Sequence, residues 1–511
     1  MEFPSSPPPT AHPIWRRPAL LLAVGALALY AALLAHFMDP YAAGSDTSGY
    51  LNHAKLLAAG HLHVAMRALP GLPPDRAPYD IYTPLGLKPA PNGHGLVPTY
   101  PSGLPLLILI AAHVVGWGLA SSLVTGGHAF CGVLLTYALG RRLGLSAAWA
   151  ALGATAIAVS PLYLLYSVQI MSDVPSMVWI VAAVLAAWQA GEKRKAKSEK
   201  RKGCLWAMAA GAALALAVLI RPNSIIAVVP VGIAVGLAWR RWVLLVAGSL
   251  PGALFFFVHS EAAYGSVFAT GYGDTGYLFS ASFIARTLVH YAHWVPILFT
   301  PAALLALGLP WLWRAAPRAV GVLGAWILVY LAFYSCYRTT HETWWYLRYL
   351  LPAAPALVVG GLLVARQWRS FPWGRPAFAA ALALIVANGA WWTRNFGVLN
   401  TADHDRTYPL TMDWLRGHVP ADTVVAAWQT SGALFYYTPL ALVRWEIINA
   451  QGFHRVTAAA RAAHLPIYAA LFDYERDAAL RRHMPGAWTS VATIRDVTIW
   501  RWDGEEPGPG K

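Results

Sequence analysis

Charge is what this sequence has least of. Only 12% of its 511 residues are Asp, Glu, Lys or Arg, where soluble globular domains carry about 25%. Apolar residues make up 57% against roughly 45–50% in such domains, and the mean hydropathy is +0.47. One soluble core cannot hide so much apolar surface over so long a chain, so an ordinary soluble enzyme is excluded. Cysteine is scarce too: Cys131, Cys204 and Cys336 show no metal or redox spacing, which argues against a disulfide framework. A Walker loop, a dinucleotide fingerprint and a nucleophile elbow are all missing from suitable context, which argues against ATP-driven transport and against nucleotide-sugar chemistry on a soluble fold. There is no internal repeat of the kind that marks many secondary transporters.

What is present is a series of apolar runs of membrane-crossing length. The first, Pro18 to Phe37, follows Arg16-Arg17, is longer than a signal-peptide core and has no small-residue cleavage site before Asp39. It reads as a retained first span. Ten more follow at 124–140, 146–165, 175–190, 204–220, 224–239, 242–258, 291–308, 319–335, 349–365 and 376–393. A shorter run, 104–120, begins at Pro105 and contains His113 and Gly116, so it is either a span or a helix lying in the interface.

Charge chooses between these. If 104–120 does not cross, the clusters Arg16-Arg17, Arg141-Arg142, Lys193 to Lys202, Arg240-Arg241, Arg314/Arg318 and Arg366/Arg369/Arg375 all fall on one side, as the positive-inside rule requires. The inner segments then hold 18 basic and 3 acidic residues, the outer loops 8 and 8, and the segment after 393 holds 12 and 12. The whole net charge of +15 is then cytoplasmic. It speaks for topology and for anionic membrane lipid, not for nucleic acid, and Lys193 to Lys202 reads as a basic inner loop.

The expected fold is an all-α polytopic membrane domain of about eleven spans with a small C-terminal extracytoplasmic α/β domain. Its parts are a disordered cytoplasmic N-terminus (1–17), the membrane domain (18–393) and the outer α/β domain (394–511). The first outer loop, 39–120, is far longer than a connector needs to be, and long loops carry function. Within it Ser45 to Gly60 reads as a short amphipathic helix on the outer membrane surface. Outer loops at 259–290 and 336–348 are polar and aromatic and converge on the same face. After 393, β-rich pieces at Thr423 to Ala427, Leu442 to Trp445, Ile467 to Phe472, Ser490 to Ile494 and Val497 to Trp502 alternate with helix-like stretches, before a Gly/Pro tail.

Few ionisable residues flank the spans, so each one matters. Asp46, with Tyr50 one turn on, is placed to accept a proton from an acceptor hydroxyl or to hold a cation; the plainer reading is a helix cap. Asp173 lies at the outer end of the third span with Pro175 opening the next helix, where a carboxylate is costly without a partner or a task; a cap is again the alternative. Arg221, in Leu219-Ile-Arg-Pro-Asn-Ser224, stands on the outer side against the positive-inside rule, which suggests an anion, and its planar fork suits phosphate. Arg338 and Arg348 are similar candidates, or they meet lipid headgroups. His61, His63, His259 and His341 with Glu342 lack helical metal-ligand spacing. A divalent cation between Asp46 and Asp173 remains open. Trp344-Trp345-Tyr346 looks like an interfacial belt, with sugar stacking as the lesser alternative.

Taken in order, these residues resemble the GT-C superfamily of polyprenyl-phosphate-sugar-dependent glycosyltransferases, in the branch with protein O-mannosyltransferases and the aminoarabinose transferase of lipid A. The resemblance rests on Asp46 with Tyr50, Tyr100-Pro-Ser-Gly-Leu-Pro105, Gly140-Arg-Arg-Leu143, Met171-Ser-Asp-Val-Pro175, Arg221-Pro-Asn223, Gly271-Tyr-Gly273 and Arg348-Tyr-Leu-Leu-Pro352. It implies that Asp46 is the catalytic carboxylate and that Asp173 lines the cavity, with Tyr50, Tyr100, Arg221, Asn223, Tyr272, Arg338 and Arg348 on the donor or substrate side. The implied chemistry is transfer of a sugar from a polyprenyl-phosphate donor to a hydroxyl of a glycan, glycolipid or protein on the outer face. Two departures stand out. Many relatives have a second acid directly after the first, where this chain has Thr47, which weakens a two-carboxylate metal site. The lipid A branch has an acid-lysine-proline where this chain has Thr99-Tyr100-Pro101, which argues against aminoarabinose. The rival readings are a flippase for lipid-linked glycans, which predicts ionisable residues deep within spans, and an oligosaccharide ligase.

Overall fold

The computed structural model describes residues 16–74, 80–93, 95–192, 197–367 and 374–504. The Pro-rich N-terminal stretch, the Gly/Pro tail, part of the basic 193–202 run and Arg369 lie outside them. Helix α1 (Arg16–Phe37) is apolar all round, and only 6% of its 18-residue core is buried by protein, so its side chains face lipid. After the first loop comes α3 (Gly103–Val115), whose 13 residues span about 20 Å, too little for a hydrocarbon core of about 30 Å. Gly116, at φ +79, turns the chain into the 26-residue α4 (Trp117–Arg142). The 104–120 run is thus a half-length helix plus the opening turn of the next span.

Among the described residues eight helices are long and apolar enough to cross a membrane, and two bent pairs raise the number to ten. Helices α5 (Ala147–Ala158) and α6 (Pro161–Ser167) form one bent pair, at 63°. The break falls where the Ser160 hydroxyl accepts from the Tyr163 amide at 3.2 Å and Pro161 opens the new helix. The other pair turns by 113° at Thr300, a φ of +109 between α11 (Ile284–Leu298) and a 3-10 segment, Pro301–Leu312. Of the eleven expected runs, 224–239 is an irregular crossing, not one regular helix: a 3-10 turn, Pro222–Ala227, continues as the eight-residue α9 (Val228–Val235), and the two lead from Arg221 beside Asp173 to the last turn that Arg318 closes at the opposite end of the bundle. Arg221-Pro-Asn223 and the glycine after Val235 stop the helix at both ends.

Helices α7 (Asp173–Gly191), α8 (Lys197–Ile220) and α10 (Trp239–Tyr264) pack side by side. Their closeness depends on glycine. A Cβ at Gly211 would fall 1.8 Å from the Leu245 carbonyl oxygen, and one at Gly248 would fall 2.0 Å from that of Met208, so α8 and α10 meet backbone to backbone. At the centre runs Trp344–Ala353, a 3-10 stretch that contains Pro352 and continues as α13 (Ala354–Ala365). In this span 94% of the most apolar window is buried. Helices α12 (Pro317–Ser335) and α14 (Gly374–Asn395) complete the bundle.

The basic residues gather at one end. Arg318 donates to the Trp188 carbonyl at 2.8 Å and to the Ala234 carbonyl at 2.6 Å, closing the last turns of α7 and α9. Arg241 donates to the Val235 carbonyl at 3.0 Å, and Arg366 to the Gly144 carbonyl at 2.5 Å. Asp173 opens α7 at the other end, about 28 Å away along a 19-residue helix.

Beyond the bundle, α15 (Thr401–Asp405) and α16 (Thr407–His418) lead into a five-stranded sheet of order β4-β3-β5-β7-β6. The strands are β3 (Val424–Ala426), β4 (Ala441–Val443), β5 (Ile467–Phe472), β6 (Ala487–Ile494) and β7 (Val497–Gly504), close to the five expected pieces. The crossovers α17 (Ser431–Tyr437) and α18 (Ala450–Ala462) make β4-β3-β5 parallel, while the β6-β7 hairpin adds antiparallel to β5.

The first loop is woven into this sheet region. It contains α2 (Asp46–Ala58) and a hairpin of β1 (Leu87–Pro89) with β2 (Leu96–Pro98), which the sequence reading did not anticipate. Asn52 donates to the Gly432 carbonyl at 3.2 Å. Arg67 donates to the Thr438 and Phe435 carbonyls at 2.6 and 2.9 Å, its guanidinium 4.0 Å from the Phe435 ring centre. Arg444 donates to the Thr83 carbonyl at 2.9 Å.

Where β5 turns into α19 (Asp473–Ala478), the buried Glu475 carboxylate accepts from the Phe472 and Gln429 amides at 2.8 and 3.2 Å. Burial pushes Glu475 up to about 7 despite those two bonds. The folded state therefore holds a proton that the unfolded chain has released, and its stability should fall as pH rises from about 4.5 to 7, by at most about 1.4 kcal/mol per pH unit. In thermal unfolding of the detergent-solubilised protein, the Tm of Glu475→Gln relative to wild type should be higher at pH 8 than at pH 5. An unchanged difference would refute the assignment.

Candidate active site

The site is built at the start of α2. The Asp39 amide donates to the Val168 carbonyl at 2.7 Å, which fixes where the chain leaves α1. The Thr47 hydroxyl bonds back to the Ala43 carbonyl and accepts from the Ala43 amide at 2.8 Å. Thr47, in the place of the second acid, is thus a buried staple for the turn that presents Asp46. Three residues on, Gly49 leaves room for a ring: a Cβ there would lie 2.5 Å from the Tyr100 side chain. Tyr100 uses this space to donate its hydroxyl to Asp46 Oδ1 while sharing a 2.8 Å bond with Ser45 Oγ. Burial first, and then the neighbouring Asp46 charge, raise the Tyr100 phenol well above its ordinary value, so it stays a donor.

The other carboxylate oxygen, Oδ2, accepts from Arg348 Nη1 at 3.4 Å. Tyr166, Tyr346 and Tyr349 surround that guanidinium, with ring centres 5.6, 5.8 and 5.5 Å away. Tyr349 is shared: the Arg221 guanidinium lies 5.8 Å from the same ring. Arg221 is ion-paired with Asp173, whose side chain is 1% exposed. One turn after Asp46, Tyr50 donates to Ser172 Oγ at 2.9 Å, tying α2 to the opening of α7 beside Asp173. Asn223 donates to the Tyr334 hydroxyl at 3.3 Å, and Tyr334 stacks on Tyr349 at 5.1 Å. Tyr272 meets Tyr100 edge-on at 6.1 Å.

Every residue that the family resemblance places at the site, except Arg338, therefore joins one connected cluster. Arg338 is the exposed first residue of a 3-10 turn, Arg338–His341, and it is the next residue, Thr339, that reaches the cluster by donating to the Tyr349 hydroxyl at 3.2 Å. Asp46 and Asp173 do not face each other across an open cation site, since each carboxylate has its own arginine. His61, His63, His259, His341 and Glu342 do not converge, and the described residues contain no group of three or more His, Cys, Asp or Glu positioned to hold a metal. A histidine the sequence reading passed over, His53, is fully buried 5.5 Å from the His259 ring. Burial, and then His259, lower it to about 3, so it is neutral.

The Asp46 side chain is 31% exposed and faces a cleft of about 420 Å³ whose walls include Ser45, Tyr166, Trp345, Arg348 and Tyr408. A second, mostly apolar groove of about 530 Å³ runs between α1, α5–α6 and α14, with Tyr30, Phe37, Leu164 and Val386 on its walls and Arg394 at one end. The two are neighbours: Gln169 of the cleft donates to Thr401 at 3.4 Å, next to Asn400 of the groove. Asp405, also on the cleft wall, is paired with the buried Asp39. Burial, followed by Asp405, raises the Asp39 carboxyl, and burial raises Asp405, so the pair keeps a proton between them. An acid directly after the first span was the signal that could have found it.

The Asp46 carboxylate thus opens on a cleft at the edge of the helical bundle, backed by buried arginine and tyrosine side chains. Residues 121–266 match the family described as dolichyl-phosphate-mannose-protein mannosyltransferase. A search of curated protein sequences finds no match. Among solved structures the fold is similar to that of ArnT from Cupriavidus metallidurans bound to undecaprenyl phosphate, with a TM-score of 0.61 at 13% identity over 96% of this chain and 98% of that one. It is also similar to the oligosaccharyltransferase AglB from Archaeoglobus fulgidus in complex with an inhibitory peptide and a dolichol-phosphate (TM-score 0.53, 12% identity, 88% of this chain and 69% of that one). A third is the arabinofuranosyltransferase AftD from Mycobacteria (TM-score 0.52, 14% identity, 95% of this chain and 40% of that one). The chain is an integral multi-pass membrane protein with the GT-C fold.

The two ion pairs differ in what they hold together. Arg221→Ala leaves the buried Asp173 without its partner and should cost roughly 3–5 kcal/mol. Arg348→Ala leaves an Asp46 that water already reaches and should cost less. Thermal unfolding of both variants in detergent checks the order, and equal losses would show that the Arg221 pair is not the structural one.

Proposed function

We propose that the protein transfers a sugar from a polyprenyl-phosphate donor to an acceptor hydroxyl, with inversion, and that Asp46 is the general base. The observation that carries this reading is the partly exposed Asp46 carboxylate at the cleft, with Tyr100 holding one of its oxygens and Arg348 the other. A carboxylate has about four lone-pair sites, so two bound donors leave room for an acceptor hydroxyl. In the reaction Asp46 takes the hydroxyl proton as the oxygen attacks the anomeric carbon. The bond from that carbon to the phosphate oxygen breaks, and polyprenyl phosphate leaves with the electron pair. Arg221 and Arg348, held at the cavity by tyrosine rings, stabilise the charge that grows on the phosphate. Asp173 keeps Arg221 in place, and Tyr50, Asn223 and Tyr272 shape the donor side.

Sugar transfer in membranes tests this, using labelled polyprenyl-phosphate sugars with wild type and Asp46→Asn at matched expression. Wild type should transfer at least one sugar, and the variant should lose about 10²–10⁴-fold in rate. Equal rates would remove Asp46 as the base.

The orientation proposed is a cytoplasmic N-terminus in the cytoplasmic membrane, with the sheet region and Asp46 outside. The gathering of Arg318, Arg241 and Arg366 at the end opposite Asp46 supports it. In a background lacking the native cysteines, Asp422→Cys should react with an impermeant maleimide on intact cells. Arg314→Cys should react only once the membrane is opened, and the reverse pattern would invert the topology.

A further inference from the structure

The cleft at Asp46 does not end at the bundle. Asp405 and Tyr408 line it, and the same two residues line a second cleft of about 330 Å³ on the sheet region, so the two clefts adjoin along these residues. The outer part is walled by Phe472, Asp473, Tyr474 and Asp496. Its base is aromatic. The Phe472 and Tyr474 rings lie nearly parallel, 15° apart with centres at 5.5 Å, and Tyr408 meets Phe472 edge-on at 5.5 Å. Phe472 thus backs Tyr474, which is 67% exposed and offers a flat face to the groove. The carboxylates of Asp473 and Asp496, both exposed, make no hydrogen bond or ion pair among the described residues. The nearby Arg495 is instead bonded to Asp403 at 2.7 Å.

We propose that this outer groove is a subsite for the acceptor, and that the acceptor is a neutral oligosaccharide whose terminal hydroxyl reaches Asp46. This rests on Asp46 as the base and names the substrate class that the same site takes. A flat aromatic face flanked by open carboxylates suits a sugar ring, whose apolar face lies on the tyrosine while its hydroxyls donate to the acids. The charges along the groove separate this from a basic peptide: the carboxylates stand at the outer end and Arg348 at the inner end. A cation drawn in by Asp473 and Asp496 would be repelled before it reached Asp46. A sugar hydroxyl both donates and accepts, so one polyhydroxyl chain satisfies both ends.

The test uses the full-length protein in detergent and a panel of fluorescently labelled linear hexose tetrasaccharides, with anisotropy as the binding readout and release of labelled sugar from polyprenyl-phosphate hexose donors measured alongside. Wild type should bind at least one tetrasaccharide. Tyr474→Ala and the double variant Asp473→Asn/Asp496→Asn should each weaken that binding at least tenfold. Both are surface changes, and unchanged thermal unfolding shows that the fold is kept. Binding of no tetrasaccharide, or binding indifferent to both variants, overturns the subsite. So does capture of a Lys/Arg-rich peptide in place of the sugars. Asp46-dependent donor consumption without Tyr474-dependent binding overturns the subsite and leaves the transferase standing. Tyr474-dependent binding with no donor consumed upholds a sugar-binding groove but removes the transferase reading, and with it the acceptor role proposed here.

Discussion

The ion pair between Arg221 and Asp173 is the contact on which the site depends. Burying either charge at the edge of a membrane bundle is expensive, and the pair persists because each satisfies the other. Its consequences spread outwards. Asp173 opens α7 where Tyr50 reaches in from α2, so the pair sets where α2 docks. Arg221 in turn shares Tyr349 with Arg348, the residue that holds Asp46. Two guanidinium groups so close repel each other, and the two carboxylates between them make the arrangement tolerable. An anion entering the cavity finds positive charge already assembled and needs little rearrangement to be bound.

Much of this is legible in the sequence because the membrane makes polar residues conspicuous. Asp46, Asp173, Arg221 and Arg348 are rare charges beside long apolar runs, and the structure gathers all four. Arg338 reads the same way from composition, yet its side chain is exposed, while its neighbours Tyr337 and Thr339 are the ones that meet Tyr349. Which residue of such a turn faces inward is something no hydropathy pattern reports. The run at 224–239 does lead from one end of the bundle to the other, but hydropathy could not report that proline and glycine make it a 3-10 turn joined to a short helix in place of one regular span. The five C-terminal strands could be read from β-branched runs, whereas the β1–β2 hairpin, three residues a side and rich in proline, left no such trace. Asp405 and the Tyr474 platform were hidden because their meaning comes from contacts between parts of the chain that are far apart in sequence.

The sheet region does more than close the molecule. Asn52, Arg67 and Thr83, on the first loop, bond to Gly432, Thr438 and Arg444. These partners are made more than 300 residues apart, so while the chain is being synthesised the first loop waits, unpaired, for nearly the whole bundle to be inserted. The Asp46 cleft can then take shape only when the last segment has folded onto one of the first. A truncated or stalled chain would hold its spans in the bilayer but lack a finished cleft, so assembly itself keeps incomplete copies silent.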